Sequence, residues 1–204
     1  KSTTKMPSDE QIRSIMKGMR QLQLTPYIDK VVNKPLIEGN LAGGKIESTK
    51  TIEPFGITEW KLSNGIRVAL KPTDFKNDEI LFTSYSWGGW SLYPEKEYYS
   101  AASCDEIVDE SGVGEFDATA LEKLLSGKIV GGSPYVSELS QGFNGSCAPK
   151  DVETLMQLIY KYFTDPREDK DAFQSYIETR KGFLQNKNSD PQSIFRDTIA
   201  YVMS

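Results

Sequence analysis

An asparagine–glycine pair between two alternating apolar runs constrains this chain more than any other feature of its sequence. Trp60 and Leu62 alternate with polar residues, Asn64-Gly65 follows, and Ile66, Val68 and Leu70 alternate again. The pattern predicts two antiparallel strands joined by a type I′ turn, in which both central residues need positive φ. A third strand is expected over 80–87, with Ile80, Phe82 and Ser84 on one face and Leu81, Thr83, Tyr85 and Trp87 on the other. After Gly88-Gly89, a helix is expected over 96–111, carrying Ala101, Ala102, Ile107 and Val108 and stopped by Gly112. Asp117 is placed to cap a short helix through Leu121, Leu124 and Leu125, ended by Gly127. Residues 129–147 read as short strands broken by Gly131-Gly132, Pro134 and Gly142.

Three further helices are expected at the C-terminal end. The first carries Val152, Leu155, Met156, Ile159 and Phe163 on one face, and the second Phe173, Tyr176, Ile177 and Leu184. The third has Asp190 as N-cap and Pro191 at its first position, then Ile194, Phe195, Ile199 and Val202. Strands and helices cluster rather than alternate strictly. That predicts an α+β domain, a mostly antiparallel sheet with helices packed on one face.

Upstream, Ser8 and Gln11 form a capping-box pattern, and Ile12, Ile15, Met16, Met19 and Leu22 follow at helical spacing until Pro26. From about residue 30 to 55 the pattern weakens around Pro35, Gly39, Asn40, Gly43 and Gly44. The expected organisation is a helix of an interdomain segment over 1–26, a linker over 27–56 and a domain over 57–204. The chain opens at Lys1 without Met and stops at Ser204 inside a helical pattern, so it is expected to be a piece of a longer protein.

Chemistry is narrowed first by an absence. The 204 residues contain no histidine, which excludes Ser-His and Cys-His catalysis and histidine metal ligation within them. Two cysteines, Cys104 and Cys147, are too few for a disulfide framework and read as small buried hydrophobes. With 24 basic residues against 29 acidic ones and no long basic run, nucleic acid is not an expected partner. No apolar run reaches the roughly 18 residues of a membrane span. Gly112-Val113-Gly114 lacks the third glycine of a dinucleotide loop, and Gly127-Lys128-Ile129 lacks the hydroxyl of a phosphate loop. Asn144-Gly145-Ser146 matches a glycosylation sequon but reads first as a tight turn. Asp105, Glu106, Asp109 and Glu110 could serve acid–base work or a hard cation; a solvated helix face is the plainer reading. Trp60, Trp87, Trp90, Tyr98 and Tyr99 could stack on bases or sugars, but their neighbours Glu95, Lys96 and Glu97 are no basic run, so core or interdomain packing is expected.

The order of these features resembles the insulinase/pitrilysin family of zinc peptidases. Leu62-Ser63-Asn64-Gly65-Ile66-Arg67-Val68 is similar to the family's opening hairpin. Further on, Lys150-Asp151-Val152-Glu153-Thr154-Leu155 and Phe163-Thr164-Asp165-Pro166 resemble its later helix and the step after it. The resemblance runs from about Thr58 to Ser204 and implies a metallohydrolase-like domain of the insulinase/mitochondrial-processing-peptidase type. It sets Ala102-Ser103-Cys104-Asp105-Glu106-Ile107 against the family's A-H-x-x-E-H, so Ser103 and Ile107 replace both histidines and only Glu106 matches. By resemblance, then, the chain holds no zinc and no catalytic residue; zinc in the parent protein is bound elsewhere. The implied role is a metal-less second half closing a substrate chamber. Its implied partners are a catalytic half, in the same polypeptide or a partner subunit, and a peptide substrate. Lys71-Pro72-Thr73-Asp74-Phe75-Lys76 and Gly127-Lys128 look similar to large single-chain bacterial envelope peptidases, which implies a periplasmic or cell-envelope parent. Two readings stand beside this one: a scaffold or protein-binding module of a degenerate relative, and a metal-independent enzyme using Glu106, Asp109 and Glu110.

Overall fold

The structure, a computed structural model, describes residues 6–23 and 34–203. It divides into two units, residues 1–30 and 31–204. Within the first, α1 spans Asp9–Met19. Its start follows the sequence reading: Gln11 N–H donates to Ser8 Oγ, and Ser8 N–H donates to Gln11 Oε1. Ile12, Ile15, Met16, Met19 and Leu22 are exposed. The expected stop at Pro26 lies outside the described residues.

In the second unit, β1 (Ile46–Ile52), β2 (Ile57–Leu62) and β3 (Arg67–Leu70) form an antiparallel sheet in that order. β1 is a correction. It occupies the second half of the stretch expected as linker, where the breakers Gly43 and Gly44 precede a strand rather than exclude one. Residue Leu36, also inside that stretch, is 5% exposed and belongs to the main apolar core. Residues 27–33 of the expected linker lie outside the described set.

The β2–β3 turn is a second correction. Among the described residues none other than glycine has positive φ, so Asn64 does not take the type I′ conformation; of the central pair only Gly65 has positive φ, at 87°. Gly65 N–H donates to the Leu62 carbonyl, and Leu62 N–H donates to the Ile66 carbonyl. This is the three-residue hairpin loop that ends on a left-handed glycine. Asn64 stabilises it with its side chain, Oδ1 accepting from Ile66 N–H at 3.2 Å.

A second sheet is built on one long central strand. The expected strand over 80–87 is divided into β4 (Ile80–Thr83) and β5 (Ser86–Trp87). Next come α2 (Tyr98–Ser111) and α3 (Ala118–Leu125), the latter capped by Asp117, whose Oδ1 accepts from Ala120 N–H. β6 (Val130–Val136) and β7 (Ser140–Cys147) then form an antiparallel hairpin, with β4 and β5 on the other side of β7. Residues 129–147 are therefore not broken into short pieces. Their glycines sit in the ladder because backbones or rings crowd them: a Cβ on Gly132 would lie 2.6 Å from Phe143 Cε1, and one on Gly142 would overlap the Ser84 carbonyl. Asn144-Gly145 is likewise no turn; both residues pair with β4 and β6.

The chain continues through α4 (Val152–Thr164), α5 (Lys170–Asn186) and α6 (Pro191–Met203). Ile80 and Phe82 of β4 and Phe143 and Cys147 of β7 point to one face, where Leu155, Leu158 and Tyr162 of α4 cover them. This is the expected α+β class, antiparallel sheets with helices against them. The buried face of α4 is rotated from the expected one. Leu155 is shared, but Val152, Met156 and Phe163 are exposed while Leu158 and Tyr162 are buried.

Candidate functional site

Helix α2 carries the positions at which the family motif was placed. A 3₁₀ turn at Glu95–Glu97 leads into it, and Gly112 at φ 83° ends it. A Cβ on Gly112 would collide with the Phe116 carbonyl, so this glycine is needed both for its φ and for the close approach of the following chain. Ala101 is buried and α2 packs along β6.

Three carboxylates leave α2 for three different elements. Asp105 Oδ2 accepts from the Val136 N–H of β6 at 2.8 Å. Glu106 Oε2 accepts from the Tyr176 hydroxyl of α5 at 2.7 Å. Asp109 Oδ1 accepts from the Tyr162 hydroxyl of α4 at 2.7 Å. The acidic row is thus not a cluster converging on one substrate; Glu106, Asp109 and Glu110 keep the exposed place expected of a solvated face while two of them also bond tyrosines, and Asp105 is half-buried. Burial, and then the hydrogen bond to Asp109, push the Tyr162 phenol far above its ordinary value. At Tyr176 the Ser103 hydroxyl favours the phenolate, but burial and the Glu106 carboxylate outweigh it and the pKa rises. Both phenols are firm proton donors. Sequence reading missed Tyr162 and took Tyr176 only as part of an apolar face; the available signal was a tyrosine on each helix expected to pack near an acidic one.

The residues at the motif positions do not fit a zinc ion. Ser103 Oγ donates to the Tyr99 carbonyl at 2.7 Å, Ile107 has no ligand atom, and Glu106 is engaged by Tyr176. Zinc needs thiolate, imidazole or carboxylate donors converging on one point. Among the described residues, no three His, Cys, Asp or Glu side chains converge so.

The cysteines do not share a setting. Cys147 is buried in β7, whereas Cys104 is exposed on α2, so the expectation that both are buried is corrected. Cys104 borders a cleft of about 270 Å³ with Tyr93, Ala101, Val136 and Gln141. Burial raises both thiol pKa values, which weakens either as a nucleophile. The aromatic group is also not a core. Trp87 is 77% exposed and stacks edge-on with Tyr85, and Tyr99, exposed, ends a chain of edge contacts through Tyr98 to Trp90. Trp60 lies in the other sheet.

The two outer edges of the second sheet differ. On β6, Pro134 has no N–H to offer, and Asp105 takes the N–H of Val136. On β4, Ser84 N–H donates inward to the Phe143 carbonyl, so by strand alternation the N–H groups of Leu81 and Thr83 point outward. No strand among the described residues pairs with that edge.

Comparison with known proteins bears on what such a fold belongs to. No protein-family model matches the chain. It is 24% identical over 197 residues to a PQQL-like zinc protease of Arabidopsis thaliana, covering 93% of this chain and 18% of that protein. The chain resembles the PqqL-type zinc proteases. A probable zinc protease PqqL of Haemophilus influenzae is 29% identical over 143 residues, 70% of this chain and 15% of its own length. Among solved structures, the periplasmic protease PqqL from Escherichia coli superposes with a TM-score of 0.69 at 22% identity, over 94% of this chain and 21% of that one. A mutant of the ferredoxin protease FusC, in complex with Arabidopsis ferredoxin, gives 0.70 at 18% identity, over 96% and 22%. These structures share the fold, and the chain spans 15–22% of the length of the proteins named here.

Proposed function

We propose that this chain is a non-catalytic domain of a PqqL-like zinc metalloendopeptidase. It forms part of the wall of a chamber in which a zinc-bearing half outside the chain hydrolyses peptide bonds. The observation that carries the reading is that Ser103, Glu106 and Ile107, in a protease-like fold, offer no metal site. Its partners are that catalytic half, in the same polypeptide or as a separate subunit, and an unfolded peptide. A periplasmic or cell-envelope location is part of this reading, supported by the similarity to the periplasmic protease PqqL. The open edge of β4 is where an extended peptide could add as a strand, with Leu81 and Tyr85 beside it. A metal-independent enzyme using Glu106, Asp109 and Glu110 is disfavoured, since two of the three carboxylates are held by tyrosines of different helices.

The test is made in the full-length parent. Leu81→Pro removes one outward N–H from an edge strand, a place where proline is tolerated. The expected result is an unchanged zinc content with kcat/KM for an unfolded peptide lowered about fivefold, the equivalent of one lost main-chain contact with a net worth near 1 kcal/mol. Unchanged cleavage would move the peptide away from β4. A parent with neither zinc nor peptidase activity would leave the scaffold module in place of the peptidase domain.

A further inference from the structure

Tyr176 meets one of the three motif positions from a second helix. Its hydroxyl reaches from α5 to Glu106 Oε2 at 2.7 Å, and Ser103 lies one turn back on the same face of α2. Tyr176 is 8% exposed and Glu106 is exposed, so the phenol end of the contact is packed and the carboxylate end faces solvent. In a metal-bearing helix pair, the ion would itself tie the elements together, since one centre binds side chains from each. Here the tie is a phenol–carboxylate hydrogen bond with no ion. We propose that Tyr176 is the plug and cross-link of this domain's vestigial metal site: it joins α2 to α5 and fills the space into which ligands at Ser103 and Ile107 would project. The inference rests on the motif placement used in the proposed function. It adds that the site is closed by α5, and does not merely lack its histidines.

Two sets of variants of the 204-residue chain separate the parts of this statement. In the first, Glu106→Gln, Tyr176→Phe and the pair are unfolded by denaturant as a double-mutant cycle. A charge-assisted bond of this kind should give a coupling of about tenfold in the unfolding equilibrium. No coupling overturns the cross-link. In the second, Ser103→His with Ile107→His is titrated with Zn²⁺ by calorimetry, alone and with Tyr176→Glu added. Histidines four apart on one helix face the same way, and a carboxylate from α5 supplies a third ligand of a type zinc accepts. Far-ultraviolet circular dichroism checks that each variant is folded. With Tyr176 present no one-to-one binding is expected; with Tyr176→Glu, affinity should rise at least a hundredfold. One-to-one binding by the double-histidine chain overturns the plug. Failure of the folded triple variant, beside an intact coupling, overturns the motif placement and leaves the cross-link standing.

Discussion

Gly142 shows how little room the central strand leaves. Its missing side chain faces the Ser84 carbonyl, and the Tyr135 ring lies 3.0 Å from where a Cβ would be. Tyr135 crosses this spot to donate its hydroxyl to the same Ser84 carbonyl at 3.0 Å. Ser84 in turn accepts the Phe143 N–H on its own side-chain oxygen, 2.8 Å away. The interruption between β4 and β5 is thus a local arrangement fixed by one glycine. Gly142→Ala must push Ser84 out, and overpacking of that kind costs about 1–3 kcal/mol. The loss should be measurable in a urea titration as a lower midpoint. By contrast Gly127, with open space around it, is constrained only by its φ of 81°.

Among the elements, α4 is the one whose place was legible and whose facing was not. Its apolar residues satisfy two overlapping stripes, Val152–Met156–Phe163 and Leu155–Leu158–Tyr162, and periodicity cannot choose between them. The partner surface chooses. Phe143 and Cys147 present a flat inner face that Leu155 and Leu158 fill, and Tyr162 packs against Phe143 with ring centroids 5.4 Å apart. Leu155 is 0% exposed and Met156 43%. Leu155→Ala should therefore cost about 2–5 kcal/mol, while Met156→Ala should stay within about 0.5 kcal/mol. Equal losses in chemical denaturation would mean that the second stripe is covered too. The helix starts were easier, because a cap is written within a few residues. Asp190 accepts from Gln192 and Ser193 N–H, and Asp169 from Asp171 and Ala172 N–H.

Across the whole second unit, α2 is tied to β6, α4 and α5 by one carboxylate each. Two of these ties depend on a protonated phenol, and both phenol pKa values are raised in the fold, Tyr162 by burial and then Asp109, Tyr176 by burial and Glu106 against the opposing Ser103. A group whose pKa is raised on folding stabilises fully below its unfolded value, near 10 for tyrosine, and loses that contribution as pH rises through the folded value. Stability should therefore be insensitive to these groups up to about pH 10 and fall above it. In the Tyr162→Phe, Tyr176→Phe chain the alkaline fall should shrink, with thermal unfolding across pH 8–11.5 as the measurement. An alkaline profile unchanged by the double substitution would show that neither tie bears on global stability.

The sequence by itself determined the local parts: the hairpin around Asn64-Gly65, the capping box at Ser8 and Gln11 and the N-cap at Asp117, the helix that Gly112 ends, and the absence of any imidazole at positions 103 and 107. These depend on neighbours within a turn or two, which is the range over which residue type controls backbone conformation. Only the tertiary structure decided that residues 46–52 form a strand, that Leu36 enters the core, and which stripe of α4 is buried. It also decided that Asp105, Glu106 and Asp109 serve three elements. Glu106 and Tyr176 are 70 residues apart in the chain, and no local rule carries over that distance. Such pairs exist because packing brings their helices together, and a buried phenol then requires the acceptor it meets.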